Sequence, residues 1–195
     1  MSALTEQKQY TPEDYLSLEE QAEFRSEYEN GKIIAMAGGS LSHTQITFNV
    51  AKALDRQIAA KCRTLPTEIK VWVPKRGKFY YPDITIVCGK PHFYQNRTDT
   101  IVNPQILIEV LSKSTEAKDR TEKFWSYQLL DSFQEYILIS QHRAAVEQFV
   151  RQADDSWRYL AAIGEKSVLR LTTVEAELNL KEVYQSIDFE LEENL

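Results

Sequence analysis

The run Ile106-Leu107-Ile108-Glu109-Val110-Leu111 constrains the fold more than any other stretch of the 195 residues. Alternate residues of a strand point to opposite faces, so 106, 108 and 110 form one apolar face and 107 and 111 most of the other. A strand that is apolar on both faces has to be covered on both, which places it inside a sheet. Glu109 is the exception, facing the same way as Leu107 and Leu111. A buried ionised carboxylate is costly unless it is paired or bound to a metal, so this position demands a partner. The plainer alternative is an acid at a frayed strand end whose head reaches water.

The flanking patterns mix helices and strands around this run. Thr11-Pro12-Glu13-Asp14 reads as a capped helix start, with the helix running to about Phe24. Asn30-Gly31 supplies the two positive φ angles of a tight hairpin turn. Ile46, Val50, Leu54 and Ile58 recur every four residues and predict a helix over 42–61. Strands are expected at 62–65, 69–73, 83–88, 105–111, 135–140, 145–151, 156–161 and 168–171. A turn is expected at 75–78, an irregular loop at 89–104, and helices at 115–130 and 180–187. The class is α/β or α+β: one domain over residues 1–195, with a middle block of strands flanked by helices.

Composition removes several classes. Hydrophobic residues make up 43% and charged residues 27%, which excludes disordered, collagen-like and disulfide-framework chains. Cys62 and Cys88 read as separate, reduced packing thiols, and no CxxC or Cys/His cluster suggests zinc. No signal-peptide pattern occurs, and no apolar stretch approaches the roughly 18 residues a bilayer needs, so a cytoplasmic protein with no membrane partner is expected.

Asp83 is the natural counterpart of Glu109. Pro82 precedes it, and it begins the apolar run Ile84-Thr85-Ile86-Val87-Cys88. If the two strands are neighbours, both carboxylates converge near one sheet edge, a set suited to Mg²⁺ with water and phosphate oxygens completing the shell. Phosphodiester cleavage also needs a group to activate water or neutralise charge on the phosphate, and a nearby Lys does either. Lys123 is the candidate, on the helix after the Glu109 strand, with Tyr127 one turn later. Spacing alone gives the plainer reading of a solvent-exposed Lys123 and a Tyr127 in ordinary helix packing.

The pieces Glu27-Tyr28-x-x-Gly31, Met36-Ala37-Gly38-Gly39-Ser40, His43, Tyr81-Pro82-Asp83, Asn103-Pro104 with Glu109-Val110-Leu111-Ser112, Asp119-Arg120-x-x-Lys123-Phe124-x-x-Tyr127 and Gln134-Glu135-Tyr136 follow in order along nearly the whole chain. Together they resemble a large bacterial family of restriction-endonuclease-like proteins, similar to the PD-(D/E)XK nuclease superfamily. The resemblance implies a mixed β-sheet core flanked by helices, with additional antiparallel strands. It also implies that Asp83 and Glu109 are the metal-binding acids, that the Val110 carbonyl is a further ligand, and that Glu27 is an early acid helping to hold the metal or its water. The superfamily pattern places a Lys two residues after the second acid, where this chain has Leu111. The resemblance moves that role to Lys123 on the following helix, with Lys113 as the other donor. His43 matches a family His and orients a phosphate or an acid, or else is a capping or core His. Tyr127 is placed to bond a metal ligand.

The function implied is an Mg²⁺- or Mn²⁺-dependent endonuclease acting on DNA, with a homodimer suited to cutting both strands. The alternatives are a catalytically inactive nuclease-fold module for protein or DNA binding, and a metal-dependent phosphodiesterase acting on RNA or a small nucleotide. The formal charge is −6, unfavourable for a nucleic-acid partner if it were uniform. It is not uniform: residues 1–29 hold eight acids and two bases, and residues 174–195 seven acids and one base. The middle is therefore basic: Lys70, Lys75, Arg76, Lys78, Lys113, Lys118 and Arg120 either form a phosphate-facing centre around Asp83 and Glu109 or are a scattered, solvated set.

Overall fold

The computed structural model describes residues 8–58 and 60–189; the acidic extremes at 1–7 and 190–195, and residue 59 of the helix expected at 42–61, lie outside the described residues. Helix α1 (Pro12–Glu19) precedes a hairpin of β1 (Ser26–Glu29) and β2 (Lys32–Ala35), then helix α2 (Leu41–Ile58). Strands β3 (Cys62–Pro66), β4 (Lys70–Val73), β5 (Lys78–Tyr80), β6 (Ile84–Cys88), β7 (Thr100–Ile101) and β8 (Ile106–Leu111) follow. A helical segment over 116–127, here α3, leads to β9 (Glu135–Ser140), β10 (Ala145–Arg151), β11 (Trp157–Ile163), β12 (Val168–Leu171), β13 (Ala176–Asn179) and a short helix Leu180–Val183.

The strand that is apolar on both faces sits where its pattern requires. A six-stranded sheet runs in the order β11-β10-β9-β8-β6-β3, so β8 is interior. It pairs parallel with β9 and antiparallel with β6. Ile106, Ile108 and Val110 pack with Ile46, Val50 and Leu54 of α2. Leu107 and Leu111 pack on the other side with Phe124 and Tyr127 of α3 and with Tyr136. The sheet thus has a helix on each face, and Glu109 lies on the α3 side. A second sheet, in the order β2-β1-β5-β4-β7, carries α1, whose Tyr15 and Leu16 pack on Tyr28 and Phe79.

Local chemistry explains most element boundaries. Thr11 and Asp14 form a reciprocal capping box at the start of α1. That helix stops at Glu19, short of the expected Phe24, because its last turn is tied to the hairpin: Tyr15 donates to the Ser26 carbonyl and Ser26 N–H donates to Glu19. Asn30 and Gly31 have φ of 48° and 90°, as the hairpin turn needs. The loop expected at 89–104 contains β7, which pairs parallel with β4, and β13 is a further strand the periodicity did not reveal. The two residues of β7 carry too few side chains to show an alternation.

One expectation is overturned outright. Cys62 and Cys88 are joined as a disulfide rather than standing as separate reduced thiols. The antiparallel register of β3 and β6 sets them directly opposite one another, and a separation of 26 residues contains no information about register.

Beneath β4, Asp99 accepts from the buried Lys70 ammonium at 2.7 Å and from Arg97 at 2.7 and 2.8 Å. Burial pushes the Asp99 carboxyl up, but the bonds from Arg97 and Lys70 outweigh it and hold it far below the usual range. A depressed folded-state pKa stabilises above the unfolded value of about 3.9, and that stability is lost as pH falls through the folded value. Asp99→Asn is therefore expected to lower the melting temperature at neutral pH and to flatten its decline below about pH 4, as followed by thermal melts across acid pH. Ile108→Ala, at a fully buried core position, is expected to cost about 2–5 kcal/mol in urea unfolding.

Candidate metal and active site

Asp83 and Glu109 stand on neighbouring strands. Ile84 pairs with Ile108, so Asp83, one residue before β6, is set opposite Glu109 in β8. Asp83 N–H reaches Glu109 Oε2 at 3.4 Å, and Asp83 Oδ2 accepts from Val110 N–H at 2.7 Å. The two acids that the sequence singled out are thus locked to each other through the backbone at the end of the β6–β8 ladder.

Behind them lies a buried cluster centred on Lys123. Its Nζ is 3.2 Å from Glu27 Oε1, Glu109 Oε1 and Asp119 Oδ1. The reading of Lys123 as solvent-exposed is corrected: the residue is 6% exposed, because α3 lies with this side against the sheet. Residues Asp119–Lys123 form a π-helical turn inside α3. Such wide turns interrupt the usual helical register and occur often at functional sites; this one carries both Asp119 and Lys123 inward. Tyr127 follows one turn on and donates to Glu109 Oε1 at 3.1 Å, so it is a bonding partner of the acid as well as a packing residue. Glu27, from β1, also takes Lys118 at 2.8 Å and the Tyr81 N–H at 3.4 Å.

The electrostatics follow from this crowding. Burial favours the neutral form of Glu109, and Asp119, Asp83 and Glu27 push the same way, so its carboxyl titrates well above the ordinary range despite Lys123. Burial alone would pull the Lys123 ammonium down, but Glu109, Glu27 and Asp119 overcome it and the ammonium keeps its proton. Burial raises Glu27, yet Lys123 and Lys118 outweigh it and the carboxyl ends below its usual value. Three buried carboxylates, Glu27, Glu109 and Asp119, surround Lys123, with Lys118 at the side and Asp83 beside Glu109, so acids outnumber cations here.

That donor chemistry fits a hard divalent cation. Among the described residues no three His, Cys, Asp or Glu side chains converge into a metal cage. Mg²⁺, however, is commonly held by one or two carboxylates, with water and substrate phosphates supplying the remaining oxygens. A cation beside Asp83 and Glu109 would counter the burial and the neighbouring carboxylates that together raise Glu109.

Access is from one side. A cleft of ≈ 550 Å³ runs between α2 and the loops around Met36–Gly39, Pro66–Thr67 and Tyr81–Asp83, with Asp83 and His43 on its wall. His43 Nε2 lies 3.1 Å from Asp83 Oδ2. Burial lowers the imidazole pKa, but the bond to Asp83 and its charge outweigh that and raise it. A Cβ at Gly39 would stand 3.0 Å from His43 Nδ1, so a side chain there would require the imidazole to shift slightly. Lys113 is exposed in the turn after β8, and the bonds that hold the cluster do not include it.

Asp119 and Lys118 are the members that sequence reasoning missed as site residues. Asp119 stood in the motif Asp119-Arg120-x-x-Lys123 without a role assigned to it, and its spacing four before Lys123 also describes an ordinary surface ion pair. The basic middle is also corrected. Lys70, Lys78, Lys118 and Arg120 are taken up by Asp99, Glu29 and Glu122, Glu27, and Glu147 respectively. Lys75, Arg76 and Lys113 are exposed, so no single phosphate-facing surface forms from all seven.

Removing the central cation tests the cluster directly. Lys123→Met leaves three buried carboxylates without their shared partner and is expected to lower stability by about 3–5 kcal/mol, measured by urea unfolding. Adding Glu109→Gln to that variant is expected to restore part of the loss.

The comparisons agree with this geometry at the level of family and fold. Residues 12–181 match the model of the Uma2 family, described as "Putative restriction endonuclease". An uncharacterized protein of Synechocystis, sll1609, is 31% identical over 173 residues, covering 88% of this chain and 98% of that protein. A second from the same organism, slr1290, is 30% identical and covers 77% of this chain and 78% of that protein. Among solved structures, a "putative nuclease belonging to DUF820" from Anabaena variabilis superposes with a TM-score of 0.73 at 17% identity, over 90% of this chain and 97% of that one. With its strand-borne acids, helix-covered mixed sheet and family match over most of its length, the chain belongs to the Uma2 family of restriction-endonuclease-like proteins.

Proposed function

We propose that the protein is a divalent-metal-dependent endonuclease that hydrolyses DNA phosphodiester bonds, with residues 1–195 acting as one unit. The observation that carries this reading is the pair Asp83 and Glu109, fixed across neighbouring strands and backed by a buried carboxylate surplus. The nuclease-like family and fold support the reaction class.

In this reading Asp83 and Glu109 hold Mg²⁺ or Mn²⁺, with the Val110 carbonyl as a further donor and Glu27 as the outer acid. The bound metal supplies polarisation of the scissile phosphate and a lowered pKa for an attacking water. Lys123 carries its charge and acts as an electrostatic residue: it favours the ionised forms of Glu109 and Glu27 and opposes negative charge gathering on the phosphate. Its strong hold on its proton disfavours a role as general base. His43 orients Asp83 through Nε2 and faces the cleft from which substrate arrives. Tyr127 fixes one oxygen of Glu109, leaving the other directed toward Asp83.

Purified protein is expected to nick supercoiled plasmid or circular single-stranded DNA in Mn²⁺ or Mg²⁺, and to rise in melting temperature with Mn²⁺. Asp83→Asn and Glu109→Gln are each expected to reduce cutting by at least a hundredfold, in line with losing a charge-stabilising metal site. Cleavage of equal rate by the wild type and both variants would overturn the assignment. No thermal shift and no cleavage with any divalent metal would favour the non-catalytic module.

A further inference from the structure

The cleft beside Asp83 has a chemistry that metal binding does not explain. Phe24 is 79% exposed and Phe48 58% exposed, and both line the cleft. Its inner walls are mainly apolar, with Met36, Ala37, Ala51 and Pro66 contributing. Thr44, Thr47, Phe48 and Ala51 recur at helical spacing, so one stripe of α2 forms a side of the cleft. A largely apolar cleft lined by two exposed Phe side chains and by the Asp83 carboxylate is suited to a flat, apolar-faced group with polar edges.

We propose that this cleft receives an unstacked nucleobase, so that the substrate presented to Asp83 is single-stranded nucleic acid rather than intact duplex; the inference rests on the nuclease reading. In a duplex the base faces are covered by their neighbours and cannot meet Phe24 or Phe48. In a single strand every base has a free face, and stacking on aromatic side chains is sequence-tolerant. The cleft is of a size for a nucleotide, within the range of small-ligand pockets.

Charge sets the path of the backbone. Glu23 lies on the cleft and disfavours a phosphate entering there. Lys52 and Arg56 continue from Phe48 at i+4 and i+8 along the exposed side of α2, against the single acid Asp55 in that helix. The Lys52 ammonium lies 5.9 Å from the centroid of the Phe48 ring. A strand running along these cations can turn one base into the cleft, bringing the adjacent phosphate toward Asp83 and His43. A single-stranded substrate also removes the reason for pairing two active sites in a homodimer.

The test uses fluorescence anisotropy with the uncut Asp83→Asn protein in Mg²⁺, a labelled mixed-sequence 15-mer, and the same 15-mer annealed to its complement. The single strand is expected to bind at least tenfold more tightly than the duplex. Phe24→Ser with Phe48→Ser is expected to weaken single-strand binding on the order of tenfold or more and leave the duplex unchanged. Because both rings are exposed, the melting temperature of that variant should hold. Equal or tighter duplex binding, or single-strand binding indifferent to the two Phe substitutions, would overturn the proposal. So would sedimentation showing that the substitutions dissolve a dimer while nucleic-acid binding persists, since the rings would then be covered by a second copy. The nuclease reading fails separately: wild-type protein that binds the single strand but never cuts it in Mg²⁺ or Mn²⁺ sinks that reading and leaves the base cleft standing.

Discussion

The Lys123 ammonium holds Glu27, Glu109 and Asp119 at 3.2 Å each, and these acids come from β1, β8 and α3. The early strand β1 is thereby fixed to β8 and to the helix that follows it around one point. The arrangement is expensive, because each carboxylate loses its hydration shell and a single cation cannot neutralise all of them. A packed apolar centre would stabilise the same junction at lower cost, so the cluster has to be sustained by the rest of the core. The apolar layers on both faces of β8 supply that support: α2 on one side, α3 with the Tyr and Phe rings on the other.

Burial also orders the site by depth. Glu109 and Lys123 lie inside, where their charges act in a poorly screened medium. Asp83 and His43 stand at the wall of the cleft, with side chains 15% and 18% exposed, where an incoming group can reach them. Backbone bonds connect the two depths, since Asp83 both receives the Val110 N–H and donates its own to Glu109.

Much of this was legible in the chain. The unbroken apolar run around Glu109 required an interior strand with a partner for the acid, and Pro82-Asp83 ahead of a second apolar run suggested which partner. Capping at Thr11 and the Asn30-Gly31 turn depend on neighbouring residues alone, and both formed as their local chemistry demands. The errors share a different origin. Lys123 looked solvent-exposed because a charged residue at helical spacing carries no mark of what its helix packs against. Lys70, Lys78 and Lys118 looked available to phosphates because their acidic partners sit 29 to 91 residues away, and Arg120 because Glu147, 27 residues on, adds to its local partner Glu116.

The sequence by itself determined the hydrophobic alternation, the turn chemistry and the identity of the two acids on strands, since each of these follows from residues within a few positions of one another. Tertiary structure alone decided the register that sets Cys62 against Cys88, the π-turn that carries Asp119 and Lys123 inward, and the pairing of Lys70, Lys78 and Lys118 with acids far away in the chain. The physical reason is the range of the forces concerned. Backbone preferences act between neighbours, whereas charges and thiols pair with whatever the folded chain brings within a few ångströms, and that proximity exists only after the apolar faces have been buried.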